Sequence, residues 1–419
     1  MIPQVSDASA RSAAPSTSSY RLAFILVTSL FFMWGLSYGL LDVLNKHFQE
    51  TLSITRARSA WLQAAYFGAY FLLAMPAAAV IGRFGYKFAI LCGLGLFASG
   101  ALLVIPATLV ASFTFFLGAM FVIASGLAFL ETAANPYVTL LGDPAHSARR
   151  LNLSQSFNGL GQFVAPLIAA NVLFSDAAGG AEQAPVRAIY GVIAAIVIAL
   201  AVLTWRTAMP VNPAKSTTSM RSAGSSVWAS RNFRWGVFAQ FFYVAAQVGV
   251  GAFFINFLTE TQSGVTSAQA SRWLSIGLLC FLVGRFAGTA MMTRVRPARL
   301  LMIYALINLA LISLVMASIL RISAIALIAV FFFMSIMFPT IFALAVRGLG
   351  EQTEKGSSYL IMSIVGGAIV PPFMGWIADV QGIAVAFAIP LGCFAVVAIY
   401  GAKMAGAKMG HPDVGAPAA

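Results

Sequence analysis

Apolar residues run along this chain in blocks about 20 long, separated by short polar or basic turns. The blocks fall at 22–44, 60–82, 88–106, 112–141, 153–174, 188–209, 235–259, 273–293, 300–320, 322–346, 358–378 and 383–402. A helix of that length crosses the roughly 30 Å hydrocarbon core of a bilayer. Backbone groups left unpaired in lipid are too costly to persist, and the apolar/polar alternation of a barrel strand is absent, so each block is predicted to be a helix. The expected fold is an all-α membrane protein of twelve transmembrane helices.

Composition agrees. Of 419 residues, 60% are hydrophobic and 9% charged, against about 25% charged in soluble domains. Residues 1–20 are rich in Ser and Ala without an apolar core, and read as a disordered cytoplasmic tail, not a signal peptide. Cys92, Cys280 and Cys393 each lie inside an apolar block, where cysteine acts as a small hydrophobe; neither disulfide nor metal is expected.

The formal charge of +13 raises the question of a nucleic-acid partner, but the placement of the 25 Lys and Arg answers it. With the N-terminus inside, the tails and even-numbered loops hold 18 of them, among them Arg83, Lys87, Arg149, Arg150, Arg294, Arg296 and Arg299. This is the bias of cytoplasmic loops, and it puts both termini in the cytoplasm. The basic charge reports topology and contact with anionic lipid, and no nucleic-acid partner is expected.

The stretch 210–232, rich in Ser, Pro and basic residues, falls between the sixth and seventh blocks. It divides an N-terminal six-helix half (21–209) from a C-terminal one (233–403), with a second cytoplasmic tail at 404–419. The halves echo one another. SAWLQAAYFGAYFLL (59–73) answers SRWLSIGLLCFLVGR (271–285), NPYVTLLGD (135–143) answers FPTIFALAVRGLGE (338–351), and NGLGQFVAP (158–166) answers VGGAIVPP (365–372). Two pseudo-symmetric halves suit a secondary transporter with its substrate site between them near the midplane. Asn135-Pro136, Phe338-Pro339 and Gly159, Gly161, Gly366 and Gly367 are expected points of flexing or close helix approach.

Of twelve acidic residues, only Asp42 and Glu131 have helical apolar sequence on both sides. A carboxylate at a helix centre costs about 2.5–3.5 kcal/mol on insertion scales. Lys46, one turn after Asp42, leaves open a structural pair there, and Arg285 is the only basic residue in the interior of a block, Arg206 standing at the end of the sixth. Burial disfavours a charged carboxyl, so such a group exchanges protons under physiological conditions, as a proton carrier must. Neutral polar residues accompany the acids: Asn135, Gln155, Asn158, Gln240, Tyr243, Gln247, Asn256 and Asn308. Amides offer donor and acceptor together and suit sugar hydroxyls, although an amide within a span also serves as glue between helices. Gln240, Tyr243 and Gln247 share one helix face, and Trp34, Tyr38, Phe338 and Phe342 offer rings to stack on a pyranose. The histidines His47, His146 and His411 fall in loops or the tail, where a solvated role is expected. No nucleophile, metal cluster or phosphate loop marks an enzyme.

The stretches FLETAANPYVTLLG (129–142), RLNLSQSFNGLGQ (150–162), QFFYVAAQ (240–247), GRFAGT (284–289) and the block from Met334 to Gly375 resemble the fucose:proton symporter family of the major facilitator superfamily, from about residue 22 to 403. The resemblance implies a monomeric symporter of the bacterial inner membrane, with the proton as coupling ion and no cofactor. Its essential first-helix Asp and fourth-helix Glu fall on Asp42 and Glu131. An amide that the resemblance places just before Asp42 is missing from YGLLD (38–42), and Asn45 comes one turn later. The expected function is proton-coupled import of a neutral monosaccharide, L-fucose first and glucose, galactose or another hexose next. A uniporter or drug exporter, or a non-transporting receptor or scaffold, is the alternative. The expected proton-coupling residues are Asp42 and Glu131; the expected sugar contacts are Glu131, Asn135, Gln155, Asn158, Gln240, Tyr243, Gln247 and Tyr38.

Overall fold

A computed structural model describes residues 17–141, 147–174, 183–207, 209, 227–349 and 353–406. The described residues form helices and no strand. The N-terminal half holds α1 (Thr17–Leu52), the single turn α2 (Arg56–Ser59), α3 (Trp61–Phe84), α4 (Tyr86–Leu109), α5 (Phe113–Leu140), α6 (Ser147–Val172) and α7 (Ala184–Arg206). The C-terminal half holds α8 (Arg231–Thr261), α9 (Ser267–Met291), α10 (Pro297–Met316), α11 (Leu320–Met334), α12 (Met337–Val346), α13 (Thr353–Met362), α14 (Gly366–Gln381), α15 (Ile383–Ala386) and α16 (Ala388–Gly406).

Eleven of the resulting rods are long and apolar enough to cross a membrane. The twelfth crossing is α6, whose 26 residues carry Ser154, Gln155, Asn158 and Gln162 and so dilute its apolar character. An even number of crossings brings the ordered chain ends, α1's start and α16's end, to one end of the bundle. We call this the terminal end, and its opposite the far end.

The turns follow from local chemistry. Gly85, at φ 84°, lets α3 reverse into α4 through one residue, a left-handed conformation that side chains disfavour. The Thr266 side chain and Gln269 cap the start of α9 reciprocally. Small residues set the packing within and between helices. A Cβ on Gly35 would strike the Asn158 carbonyl, one on Gly161 the Phe32 carbonyl, and one on Gly366 the Phe241 carbonyl. Helix backbones therefore approach where only hydrogen fits.

Three expectations need correction. The first helix does not stop with its apolar block but runs to Leu52, because Asn45 and Gln49 find partners on the other half. His47 consequently lies inside α1, 3% exposed, with its ring edge-on to Phe48 and Phe174, and is not in a solvated loop; His146 and His411 lie outside the described residues. The tenth block breaks between Met334 and Met337, just ahead of Pro339, which cannot donate to the Ser335 carbonyl one turn back. The eleventh breaks into a tighter 3-10 turn at Ser363–Val365. By contrast α5 runs unbroken through Pro136. Most of the linker 210–232 and both tails lie outside the described residues.

Candidate functional site

Among the described residues, the polar contacts between the two halves gather at the far end. Asn45 Nδ2 on α1 donates to the Ala252 carbonyl on α8 at 2.7 Å. One turn on, Gln49 and Asn256 exchange amide hydrogen bonds, 2.6 Å in one direction and 3.3 Å in the other. Asn256 also donates to Glu260 at 3.2 Å, and Glu260 accepts from Arg56 Nη2 at 2.7 Å and Nε at 3.0 Å. Ser271 donates to the Pro166 carbonyl at 2.8 Å, joining α9 to α6. The far end is shut by this network.

Asp42 lies directly beneath the seal. It is 4% exposed, and its carboxyl rests against Gly251 of the opposite half, where an added Cβ would stand 2.6 Å from Oδ2. Asp42 forms no ion pair among the described residues. Lys46 reaches Glu50 instead, 3.6 Å away, so the structural pairing left open by the sequence is not made. The Gln63 amide adjoins the Asp42 carboxyl without reaching hydrogen-bond geometry.

Glu131 sits deeper toward the terminal end, eighteen residues along α5 from Phe113, and is partly exposed. Asn135, one turn on, accepts from Gln155 Nε2 of α6 at 3.0 Å and donates to the Glu131 carbonyl at 3.1 Å. Both amides are partly exposed. Asn158 is buried and structurally engaged: it donates to the Phe31 carbonyl at 3.2 Å and accepts from Gln162 at 2.7 Å. The fold thus gathers Glu131, Asn135 and Gln155 and sets Asn158 at the adjoining α1–α6 crossing.

The α8 residues separate. Tyr243 is fully buried and donates to the Met334 carbonyl at 3.0 Å, against α11. Gln240 is also fully buried, and neither amide atom has a partner among the described residues. Gln247 is half-buried. Tyr38 is half-buried, its ring 6.3 Å from Tyr66 and 6.0 Å from Phe67. Arg285 lies over the Phe281 ring at 5.1 Å and forms no ion pair with either acid.

Sequence reasoning passed over Gln63, Tyr66 and Tyr70, which share a buried face of α3, and over Arg56, Glu260 and Asp379. The spacing of the first three along one face of α3 was available as a signal. The meeting of the other three depends on the tertiary fold.

A family model described as the Major Facilitator Superfamily matches residues 23–363. The chain is 36% identical to the L-fucose-proton symporter of Escherichia coli (strain K12) over 92% of this chain and 94% of that one. It is 39% identical to the glucose/galactose transporter of Brucella abortus (strain 2308) over 92% and 95%. The fold overlays the crystal structure of a Major Facilitator Superfamily transporter, FucP, in the outward conformation, with TM-score 0.68 and 36% identity over 92% of this chain and 99% of that chain. A bacterial homologue of the human lysosomal transporter Spinster shares the fold at TM-score 0.72 and 17% identity over 93% and 97%. The chain is a multi-pass membrane transporter, not an enzyme, and it belongs to the major facilitator superfamily, in the branch that holds the L-fucose–proton symporters and glucose/galactose transporters.

Proposed function

We propose that this protein imports a neutral monosaccharide together with a proton across a bacterial inner membrane, by alternating access between its halves. The observation that carries the reading is the pair of carboxyl groups Asp42 and Glu131, set in apolar helices, one beneath the far-end seal and the other among amides suited to sugar hydroxyls. The names of the two relatives support a sugar and, for the first, a proton. The distribution of Lys and Arg supports a cytoplasmic terminal end, which makes the far end the outer one.

In this scheme Asp42 takes up a proton when the far end is open. Sugar hydroxyls meet Glu131, Asn135 and Gln155, with Tyr38 and Gln247 as further contacts. Closure brings Gly251 and Ala252 down on Asp42 and Asn45, and the proton and sugar leave toward the cytoplasm. A proton moving inward gains about 2.3 kcal/mol per 100 mV, which drives accumulation of an uncharged partner when the two movements are coupled. A scaffold or receptor has no use for two costly acids in the bundle.

L-Fucose is the first candidate substrate, and glucose and galactose are the second. The test is uptake of labelled L-fucose into proteoliposomes under an inward proton gradient, with D-glucose, D-galactose and N-acetylglucosamine as competitors. Absence of sugar-induced proton uptake for every hexose tried overturns the symport reading; competition by glucose alone reassigns the substrate.

A further inference from the structure

Helix α3 buries three polar side chains that the scheme above does not use. Gln63, Tyr66 and Tyr70 fall at spacings of three and four, hence on one face, and are 0%, 1% and 6% exposed. The rings of Tyr66 and Tyr70 are 5.5 Å apart, and Tyr38 stands 6.3 Å from Tyr66. Ser37, on α1, is 0% exposed and joins the same patch, its hydroxyl adjoining that of Tyr66. Both amide atoms of Gln63 and the hydroxyls of Ser37, Tyr66 and Tyr70 have no hydrogen-bond partner in good geometry among the described residues. Buried polar atoms of this kind are rare in folded proteins, and a cluster of them asks for a reason.

Their positions supply one. Gln63 adjoins Asp42, while Tyr70, two turns further toward the terminal end, adjoins Trp34. Trp34 precedes Asp42 by eight residues, about 12 Å of helix. Tyr66 and Tyr70 lie on α3, which packs along α5, the helix that carries Glu131. The patch therefore spans the distance from one acid to the other. Tyr38 is the further ionisable side chain whose ring meets it. The patch's exposure is too small to admit a pyranose, whereas a proton needs only a succession of oxygen atoms.

We propose that Ser37, Tyr66 and Tyr70 form the route by which a proton passes from Asp42 to Glu131. The inference rests on the symport reading above. In the transfer, the O–H bond of protonated Asp42 breaks as a hydroxyl oxygen takes its proton. That hydroxyl releases its own proton to the next, and the last transfer forms an O–H bond on the Glu131 carboxylate. Each hydroxyl ends with one proton, Asp42 is left as carboxylate, and nothing is oxidised or reduced.

The test compares Tyr66→Phe, Tyr70→Phe and the double variant with wild type in proteoliposomes, using the same labelled hexose throughout. Three readouts are needed: accumulation driven by a pH gradient, sugar-induced proton uptake, and counterflow exchange, which needs no net proton transfer. Each single variant is expected to lose accumulation and proton uptake tenfold or more while keeping counterflow within twofold of wild type. Tyr400→Phe, which removes a buried hydroxyl 3.5 Å from Asn232 in the other half, controls for the structural cost of losing such a group. If a Phe variant fails to reach the membrane, Ser37→Ala is read by the same three measurements. Retention of coupled accumulation within twofold in the double variant overturns the relay. So does a parallel loss of counterflow, which would make the tyrosines sugar contacts or structural supports. Wild type without sugar-induced proton uptake removes the symport reading and the relay together, and is told apart by needing no variant.

Discussion

Arg56 and Asp379 clasp each other across the two halves through both backbone and side chain. The Asp379 carboxylate accepts from the Arg56 backbone N–H at 3.0 Å and from Arg56 Nη1 at 3.2 Å, and its second oxygen accepts from the Ala57 N–H at 2.9 Å. With Glu260 on the other side of the guanidinium, one cation holds two acids of the C-terminal half. All three side chains are about a quarter exposed, which limits the gain from each pair to about 1 kcal/mol or less. Arg56→Ala is expected to shift the balance toward an open far end by about fivefold, the equivalent of about 1 kcal/mol. A cysteine placed at Ala252, in a background without Cys92, Cys280 and Cys393, should react faster with an impermeant maleimide by that factor. An unchanged rate would show that the amide pairs hold the seal without it.

The two acids are expected to separate by function. Asp42→Asn, which resembles the protonated acid, should still bind and exchange sugar but lose uphill accumulation. Glu131→Ala should weaken sugar binding roughly 10- to 150-fold, the range for loss of a hydrogen bond to a charged group, about 1.5–3 kcal/mol. Binding to purified protein, measured beside gradient-driven uptake, decides both. Wild-type accumulation by Asp42→Asn would refute this division of labour.

Dependence on pH follows from the direction of the proton. A symported proton enters with the sugar, so acidifying the outer medium at fixed internal pH should raise accumulation, by up to about tenfold per unit when one proton accompanies each sugar. Alkalinising it should abolish the gradient. Asp42→Asn should flatten this response. A response of opposite sign, read from steady-state uptake between pH 5.5 and 8, would indicate exchange in place of symport.

Close helix approach makes a prediction about stability. Gly35→Ala sets a methyl against the Asn158 carbonyl, backbone that cannot swing aside, and should destabilise the protein by about 1–3 kcal/mol. Gly68→Ala meets nothing within 4 Å and should be neutral or slightly stabilising. Thermal unfolding of the two variants in detergent compares them directly. Gly251→Val is a different case, because its side chain would press on the Asp42 carboxyl only when the far end is closed. It should slow turnover more than it lowers the melting temperature.

Much of this was legible in sequence because a bilayer penalises charge. Asp42 and Glu131 stood out from their apolar surroundings, and the blocks marked all twelve crossings, including α6. Gln63, Tyr66 and Tyr70 share one helix face by spacing, but a neutral polar group in a span is commonly interhelical glue, and burial without partners is what sets these apart. Arg56, Glu260 and Asp379 sit at the edges of apolar blocks, where a solvated charge is the ordinary case. Their convergence comes from sequence separations of 204 and 323 residues, beyond any local pattern. His47 was misjudged because an apolar count ends where hydrocarbon ends, whereas a helix ends where its backbone runs out of partners.

The amide pair between Gln49 and Asn256 bears on how fast such a machine can cycle. A seam of hydrocarbon would have to be wetted each time the halves parted, and the closed arrangement would become a trap. Amides and ion pairs instead trade protein partners for water at small net cost. Sealing the far end with such groups keeps its open and shut forms near in free energy, so the bound cargo, and not the protein's own preference, decides which way the carrier moves.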